Sequence, residues 1–175
     1  YIESYVFGQP LLRVNERYLD GNGVMELPVG TIEQEPKINS AANLGLWGES
    51  IWLPSIWITD PRVRWEAVDD THARLIVPLV AGDVGEAGED EFLVTFDAGS
   101  GLLIEMEAMR WKDADSEEKT RWLLRVEGWI EADGIMVPSP ATVTWADEGT
   151  PWLVTRITDI AYNADVAEYV RARGL

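Results

Sequence analysis

The chain has 175 residues, 46% of them hydrophobic, which is enough for one well-buried domain. Its 31 acidic against 14 basic residues leave a formal charge of −17, a field that repels phosphate backbones and anionic bilayers and argues against nucleic acid as a partner. The absence of cysteine excludes disulfides, thiol nucleophiles and Cys-ligated zinc, and no apolar run approaches the roughly 20 residues of a membrane-spanning helix.

Residues 1–7 alternate bulky and polar side chains as a strand does, ahead of the turn signal Gly8-Gln9-Pro10. The chain opens on Tyr1 without a methionine and already in that strand, so native residues are expected upstream, with room among them for an export signal or anchor. Residues 11–20 follow as a longer strand. Asp20-Gly21-Asn22-Gly23 is a strong hairpin turn, because Gly and Asn accept the positive φ angles of tight hairpins. Residues 24–29 return, and the polar residues 31–37 read as edge or loop.

Residues 39–60 are the one long stretch with a helical pattern. Asn39 or Ser40 can cap it, and Leu44, Trp47 and Ile51 recur at helical spacing. Gly45 and Gly48 allow close packing on a neighbouring surface, and Pro54 ends or kinks the helix. The helix is expected over residues 39–57, covering one face of a sheet.

From residue 62 onward strand follows strand: residues 62–68, 72–80, 91–97, 102–112, 119–131, 135–140, 141–145 and 152–162, then a short terminal helix over 165–173. Glu105 and Glu107 are placed to pair with Arg121 and Arg125 across two neighbouring strands. Consecutive strands joined by tight turns imply an antiparallel meander. The fold class is therefore mainly β (α+β): a strongly curved antiparallel sheet or half-barrel of about nine or ten strands, with one long helix across its concave face.

Catalytic and metal motifs are weak. Ser50 in Gly48-Glu49-Ser50 lacks the frame of a nucleophile elbow, and His72 at a strand start reads as a solvated histidine. The carboxylates of Asp69-Asp70, Asp113-x-Asp115 and residues 83–91 lack calcium-loop spacing and read as solvated charge; no catalytic residue, metal site or cofactor is assigned. Glu49 stands out, lying between Trp47 and Trp52 on a largely apolar helix. It must reach solvent, pair with an inward arginine such as Arg64, Arg74 or Arg125, or act as the polar anchor of an apolar pocket. Nine tryptophans are many for this length, and Trp47, Trp52, Trp65 and Trp122 fall on faces expected to point inward. Such rings fill cores, and they also line pockets for acyl chains and other amphiphiles.

Glu49-Ser50-Ile51-Trp52-Leu53-Pro54 resembles an E-x-x-W-[FL]-P motif. Val63-Arg64-Trp65-Glu66-Ala67-Val68-Asp69-Asp70, running on to Ala73-Arg74, resembles V-x-W-E-x-[VI]-D-D…A-R, and Arg156-Ile157-Thr158-x-Ile160-x-Tyr162 is similar to the family's ending. With these motifs the chain resembles, over nearly its whole length, a family of uncharacterised prokaryotic proteins without an assigned function. Its architecture is similar to the lipoprotein-carrier (LolA/LolB-like) fold, a resemblance that implies an extracytoplasmic or membrane-associated module; without it the chain would be placed in the cytoplasm. The expectation is a non-enzymatic module holding a lipid, acyl chain or other hydrophobic small molecule between helix and sheet, with Trp47, Glu49, Trp52, Trp65 and Trp122 as ligand-binding residues. Two alternatives stand beside it: a structural or interaction domain with a filled core, and an enzyme acting on a hydrophobic substrate through Glu49.

Overall fold

The computed structural model describes residues 2–6, 9–165 and 167, with side chains from Val14 onward. Strands β1 (Ile2–Val6), β2 (Gln9–Leu19), β3 (Asn22–Leu27) and β4 (Gly30–Ile32) form an antiparallel sheet in that order. The β2–β3 turn is the expected one: Asp20 (φ 50°) and Gly21 (φ 81°) both take left-handed backbone between the paired Leu19 and Asn22. The hairpin tip is pressed against the segment after residue 79. A Cβ on Gly21 would lie 2.5 Å from Gly82 N, a Cβ on Gly82 2.5 Å from Gly21 O, and Asn22 Oδ1 accepts from Asp83 N at 2.8 Å.

Helix α1 (Pro36–Glu49) begins three residues before the expected Asn39 or Ser40 cap. Pro36 suits a first turn, where its missing N–H would have had no partner, and Glu35 caps the helix by accepting from Lys37 N at 3.2 Å. Freed from capping, Asn39 and Asn43 are buried pegs instead. Asn39 accepts from Gly23 N (2.8 Å) and donates to Val84 O (3.2 Å), while Asn43 Nδ2 donates to Pro78 O (3.2 Å) and to Asp90 (2.9 Å). The helix stops at Glu49, well before Pro54, where the Ser50 hydroxyl donates back to the Trp47 carbonyl. A 3₁₀ turn (Ser50–Trp52) and the short α2 (Ile56–Thr59) follow, so Trp57 sits on a second helix.

The rest of the chain forms β5 (Arg64–Ala67), β6 (His72–Leu79), β7 (Gly88–Phe96), β8 (Leu103–Arg110), β9 (Thr120–Val126), β10 (Trp129–Ala132), β11 (Ile135–Pro138), β12 (Ala141–Trp145) and β13 (Pro151–Thr155). Seven of these make one antiparallel sheet in the order β13-β12-β9-β8-β7-β6-β5, and β10 pairs with β11 as a separate hairpin. The single strand expected over 119–131 thus breaks after Val126, where Glu127 N bonds to Pro140 O at 2.9 Å. Most of the terminal helix expected over 165–173 lies outside the described residues.

Mainly antiparallel β structure with one long helix is what the sequence implies; the strongly curved half-barrel is not formed. The larger sheet is open, with β5 and β13 as its edges among the described residues, and the one long helix expected, α1, packs on one of its faces. The reason is that α1 interrupts the meander after β4 and is covered on two flanks. Its Ile38–Ala42 side meets Gly23 of the small sheet so closely that a Cβ there would stand 3.1 Å from Ala42 Cβ. Its other side, with Leu44 and Trp47, and Ile51 of the following 3₁₀ turn pack on Leu75, Val77, Phe92, Val94, Met106, Trp122 and Leu124 of the large sheet. Cross-strand register stacks these inner residues in rows, Val94–Met106–Leu124–Val143 and Ala108–Trp122–Trp145. That interface is filled: Leu44, Leu75, Phe92 and Met106 are each at most 1% exposed. On the outer face Arg121 bonds Glu107 and Arg125 bonds Glu105, the exposed pairs expected, each worth less than about 1 kcal/mol.

The two helical glycines differ in what surrounds them. A Cβ on Gly48 would sit 2.6 Å from the Trp122 ring, whereas one on Gly45 would meet Arg110 Nη2 at an ordinary 3.5 Å. Gly45→Ala is therefore expected to gain up to about 1 kcal/mol from helix propensity, and Gly48→Ala to lose about 1–3 kcal/mol to overpacking, read from urea midpoints.

Asp90 gives a pH signature. Burial raises its carboxyl above the usual range, against the Asn43 hydrogen bond and the Lys119 charge that lower it. An acid raised in the folded state withholds stability as pH climbs through the ordinary carboxylate range to the raised value, because the unfolded chain ionises first. Asp90→Asn, which can still accept from Asn43, is expected to be more stable than wild type at pH 7 and to lose that advantage below about pH 4. Thermal melts across pH 3–8 check this.

Candidate functional site

The five residues singled out in the sequence do not gather in one cavity. Trp47 and Trp122 are core residues, 6% and 4% exposed, in the filled layer between α1 and the large sheet. Trp52 packs partly buried against that layer, its indole N–H donating to Pro138 O at 3.2 Å. Trp65 is 37% exposed, donates to Trp57 O at 3.1 Å and stands edge-on to the Trp57 ring, centroids 6.0 Å apart. Glu49, two residues past Trp47 and so about 200° around the helix, points away from the core. Arg64, Arg74 and Arg125, the arginines considered for Glu49, are occupied elsewhere: Arg64 with Glu89 (2.7 Å), Arg74 near Glu66 (3.9 Å) and Arg125 with Glu105 (2.7 Å).

Glu49 lines a pocket of about 170 Å³ on the other flank of α1, between the helix, the β2–β3 hairpin and the end of β8. Ile38, Ala41, Ala42, Gly45 and Leu46 come from the helix, Glu16, Arg17, Tyr18, Val24 and Met25 from the hairpin, and Arg110 and Lys112 from the end of β8. The chain builds it simply. Helix positions 38, 42, 45 and 49 share one stripe, and small residues at 41, 42 and 45 leave the space that larger ones would fill.

Arg110 is the central group. As the last residue of β8 it continues the inward row Met106–Ala108, so its side chain runs under α1. Its Nε donates to Ala41 O at 2.9 Å, and its guanidinium lies 4.9 Å from the Trp122 ring centroid and 5.6 Å from that of Trp145. Desolvation by this setting lowers its pKa, against the pull of Glu16 and Glu49. Among the described residues no carboxylate lies within 4 Å of it, and its Nη atoms have no acceptor.

The other polar groups are unevenly satisfied. Lys112 is held by Asp147 (2.9 Å) and Glu148 (2.7 Å), and Arg17 by Glu26 (3.0 Å). Among the described residues, however, Arg17 Nε, Tyr18 Oη and, in the core, Trp122 Nε1 are buried without partners. Burial, then Asp90, raises the Tyr18 pKa. Loss of surrounding water, then Glu16, raises the Glu49 carboxyl, while Arg110 pulls it down. More than a third of Glu49 remains in water, so this is local tuning and not the neutralisation of a buried acid. Chemically the pocket offers a fixed cation, a tunable carboxyl and an apolar wall.

Sequence reasoning passed over Arg110. Its signal was the period of two running Met106, Ala108, Arg110, which carries the inner face one step further than charge alone suggests. His72 stands apart from the pocket, with Nδ1 2.8 Å from Asp69 on a turn, and Ser50 is engaged by Trp57 Nε1 at 2.6 Å. Among the described residues no group of three or more His, Asp or Glu side chains is placed to hold a metal ion.

No curated protein and no solved structure matches the chain. A family model does, over residues 1–156, and the chain belongs to that family, a family of unknown function (DUF6544).

Proposed function

We propose that the protein is a non-enzymatic binding module for a small amphiphile, taken up in the pocket between α1 and the β2–β3 hairpin. The observation that carries this reading is Arg110, a desolvated cation backed by two indoles and facing an open pocket with its Nη atoms unpaired. Binding sites combine apolar walls with a few polar groups that fix orientation. Ile38, Ala42, Leu46 and Met25 supply the first here, and Arg110 and Glu49 the second. A volume of about 170 Å³ is close to that of a cavity holding one six-carbon ring, so it suits a head group or short chain, and a long acyl chain would extend out of the mouth. In this reading Trp122 supports Arg110, while Trp47, Trp52 and Trp65 contribute packing.

The test is native mass spectrometry with organic extraction on protein purified without detergent, followed by tryptophan fluorescence during titration with short-chain amphiphiles. A co-purifying small molecule, or uptake that shifts the emission of Trp122 and Trp145, is expected, and either is lost in folded Arg110→Met. Clean protein that takes up none of them at millimolar concentration overturns the reading. A second reading, acid–base chemistry on a hydrophobic substrate, is favoured by the raised carboxyl of Glu49 in an open pocket. It requires that a bound ligand be chemically altered over time and that Glu49→Gln stop the change.

A further inference from the structure

Resting on the binding reading above, we infer that the ligand of this pocket is a small monocarboxylic acid whose carboxylate is bound by Arg110 and whose hydrocarbon body lies on Ile38, Ala42, Leu46 and Met25. The guanidinium cannot swing freely. Its Nε is tied to Ala41 O at 2.9 Å and two indole rings flank it, leaving the edge that carries both Nη atoms for a partner. A planar fork fixed in this way matches a carboxylate through two parallel hydrogen bonds, formed where water competes weakly. Gly45 keeps that edge accessible. A Cβ at this position would stand 3.5 Å from Nη2, and a longer side chain would cover it.

The other cations on the lining are already held, Lys112 by Asp147 and Glu148 and Arg17 by Glu26, which leaves Arg110 as the charge open to a ligand. Glu16 and Glu49 set the limit on charge. They lie more than 4 Å from the guanidinium and are exposed to solvent, so water screens their repulsion of a single negative charge. Inorganic phosphate has no apolar part and would leave the wall of Ile38, Ala42, Leu46 and Met25 uncovered. An ammonium would be drawn to the two acids but would leave Arg110 unanswered.

Titration with hexanoate, hexan-1-ol, hexylammonium and inorganic phosphate, followed by tryptophan fluorescence and by the indole N–H signals in NMR spectra, tests the inference. Hexanoate is expected to bind at least tenfold more tightly than each of the other three. Arg110→Met should lower hexanoate affinity to the level of hexan-1-ol. Gly45→Leu, which leaves Arg110 in place and covers Nη2, should weaken hexanoate at least tenfold in protein whose melting point confirms folding. Glu49→Gln should tighten hexanoate a few-fold by removing a nearby negative charge. Equal or tighter binding of the alcohol, the ammonium or phosphate, or hexanoate binding indifferent to both Arg110→Met and Gly45→Leu, overturns the acid assignment and leaves the pocket as a site for another class. Failure of all four probes to bind overturns the binding reading itself.

Discussion

Trp122→Ala is expected to destabilise the protein by about 3–5 kcal/mol, the largest effect of any single substitution considered. The indole is 4% exposed, lies between Ala108 and Trp145 in the cross-strand row, and fills the space left by the missing side chain of Gly48. Removing it costs the transfer of a large apolar surface and leaves a cavity that two neighbouring strands and a helix cannot close. Trp122→Phe is expected to cost much less, about 1–2 kcal/mol, because the Nε1 hydrogen it deletes has no acceptor to lose. Urea unfolding followed by circular dichroism measures both. Equal losses for Phe and Ala would show that the indole N–H holds a partner and that the ring's outer portion contributes little.

The second large effect separates charge from volume at Arg110. Arg110→Ala is expected to cost about 2–4 kcal/mol, since it uncovers the Trp122 and Trp145 rings beneath α1 and leaves Ala41 O without its donor. Arg110→Met keeps the stem against the rings and removes a desolvated charge with no carboxylate within 4 Å among the described residues. It is expected to stay within about 1.5 kcal/mol of wild type, or to exceed it. The pH profile adds a sign. Arg110 lowers the Glu49 carboxyl, so its removal lets that already raised pKa rise further. The unfolded chain then ionises ahead of the folded one over a wider interval. Arg110→Met should therefore lose ground against wild type as pH rises through the carboxylate range, with the difference between the two constant below about pH 4. A variant that gains on wild type as pH rises would contradict the coupling.

Much of the strand layout was legible because it is local. Asp20-Gly21 and Asp133-Gly134 supply the left-handed pairs that close two hairpins, and the alternation in β6 through β9 assigns faces without knowledge of the partners. The Glu105–Arg125 pairing followed from the same period. The division into two sheets was not legible, since it depends on which flank of α1 each strand covers. Asn39 and Asn43 hid that: they look like solvent-facing helix residues, yet they are buried pegs binding backbone on either side. The start of the helix was missed because a pattern of apolar residues shows where a helix is buried, and Pro36 and Lys37 precede the first of them. The site divided in the same way. Glu49 stood out as a charge on an apolar helix, but Arg110 required knowing that Trp122 and Trp145 face each other on adjacent strands.

The two glycines that meet at residues 21 and 82 form a latch. Neither has a side chain, and the backbones touch where the first hairpin reaches the β6–β7 connection, with Asn22 spanning to Asp83 across a gap of 61 residues in sequence. Almost every other tie in the large sheet joins neighbours along the chain, so that sheet can persist while the latch opens. The hairpin is thus tied to the rest of the molecule at its tip by the latch and along α1 by Gly23 N on Asn39, close contacts that a single methyl group at residue 21 or 82 would spoil. Parting them would separate the hairpin from α1 and with it one wall of the pocket, so the shape of the pocket depends on backbone packing at residues far from its centre.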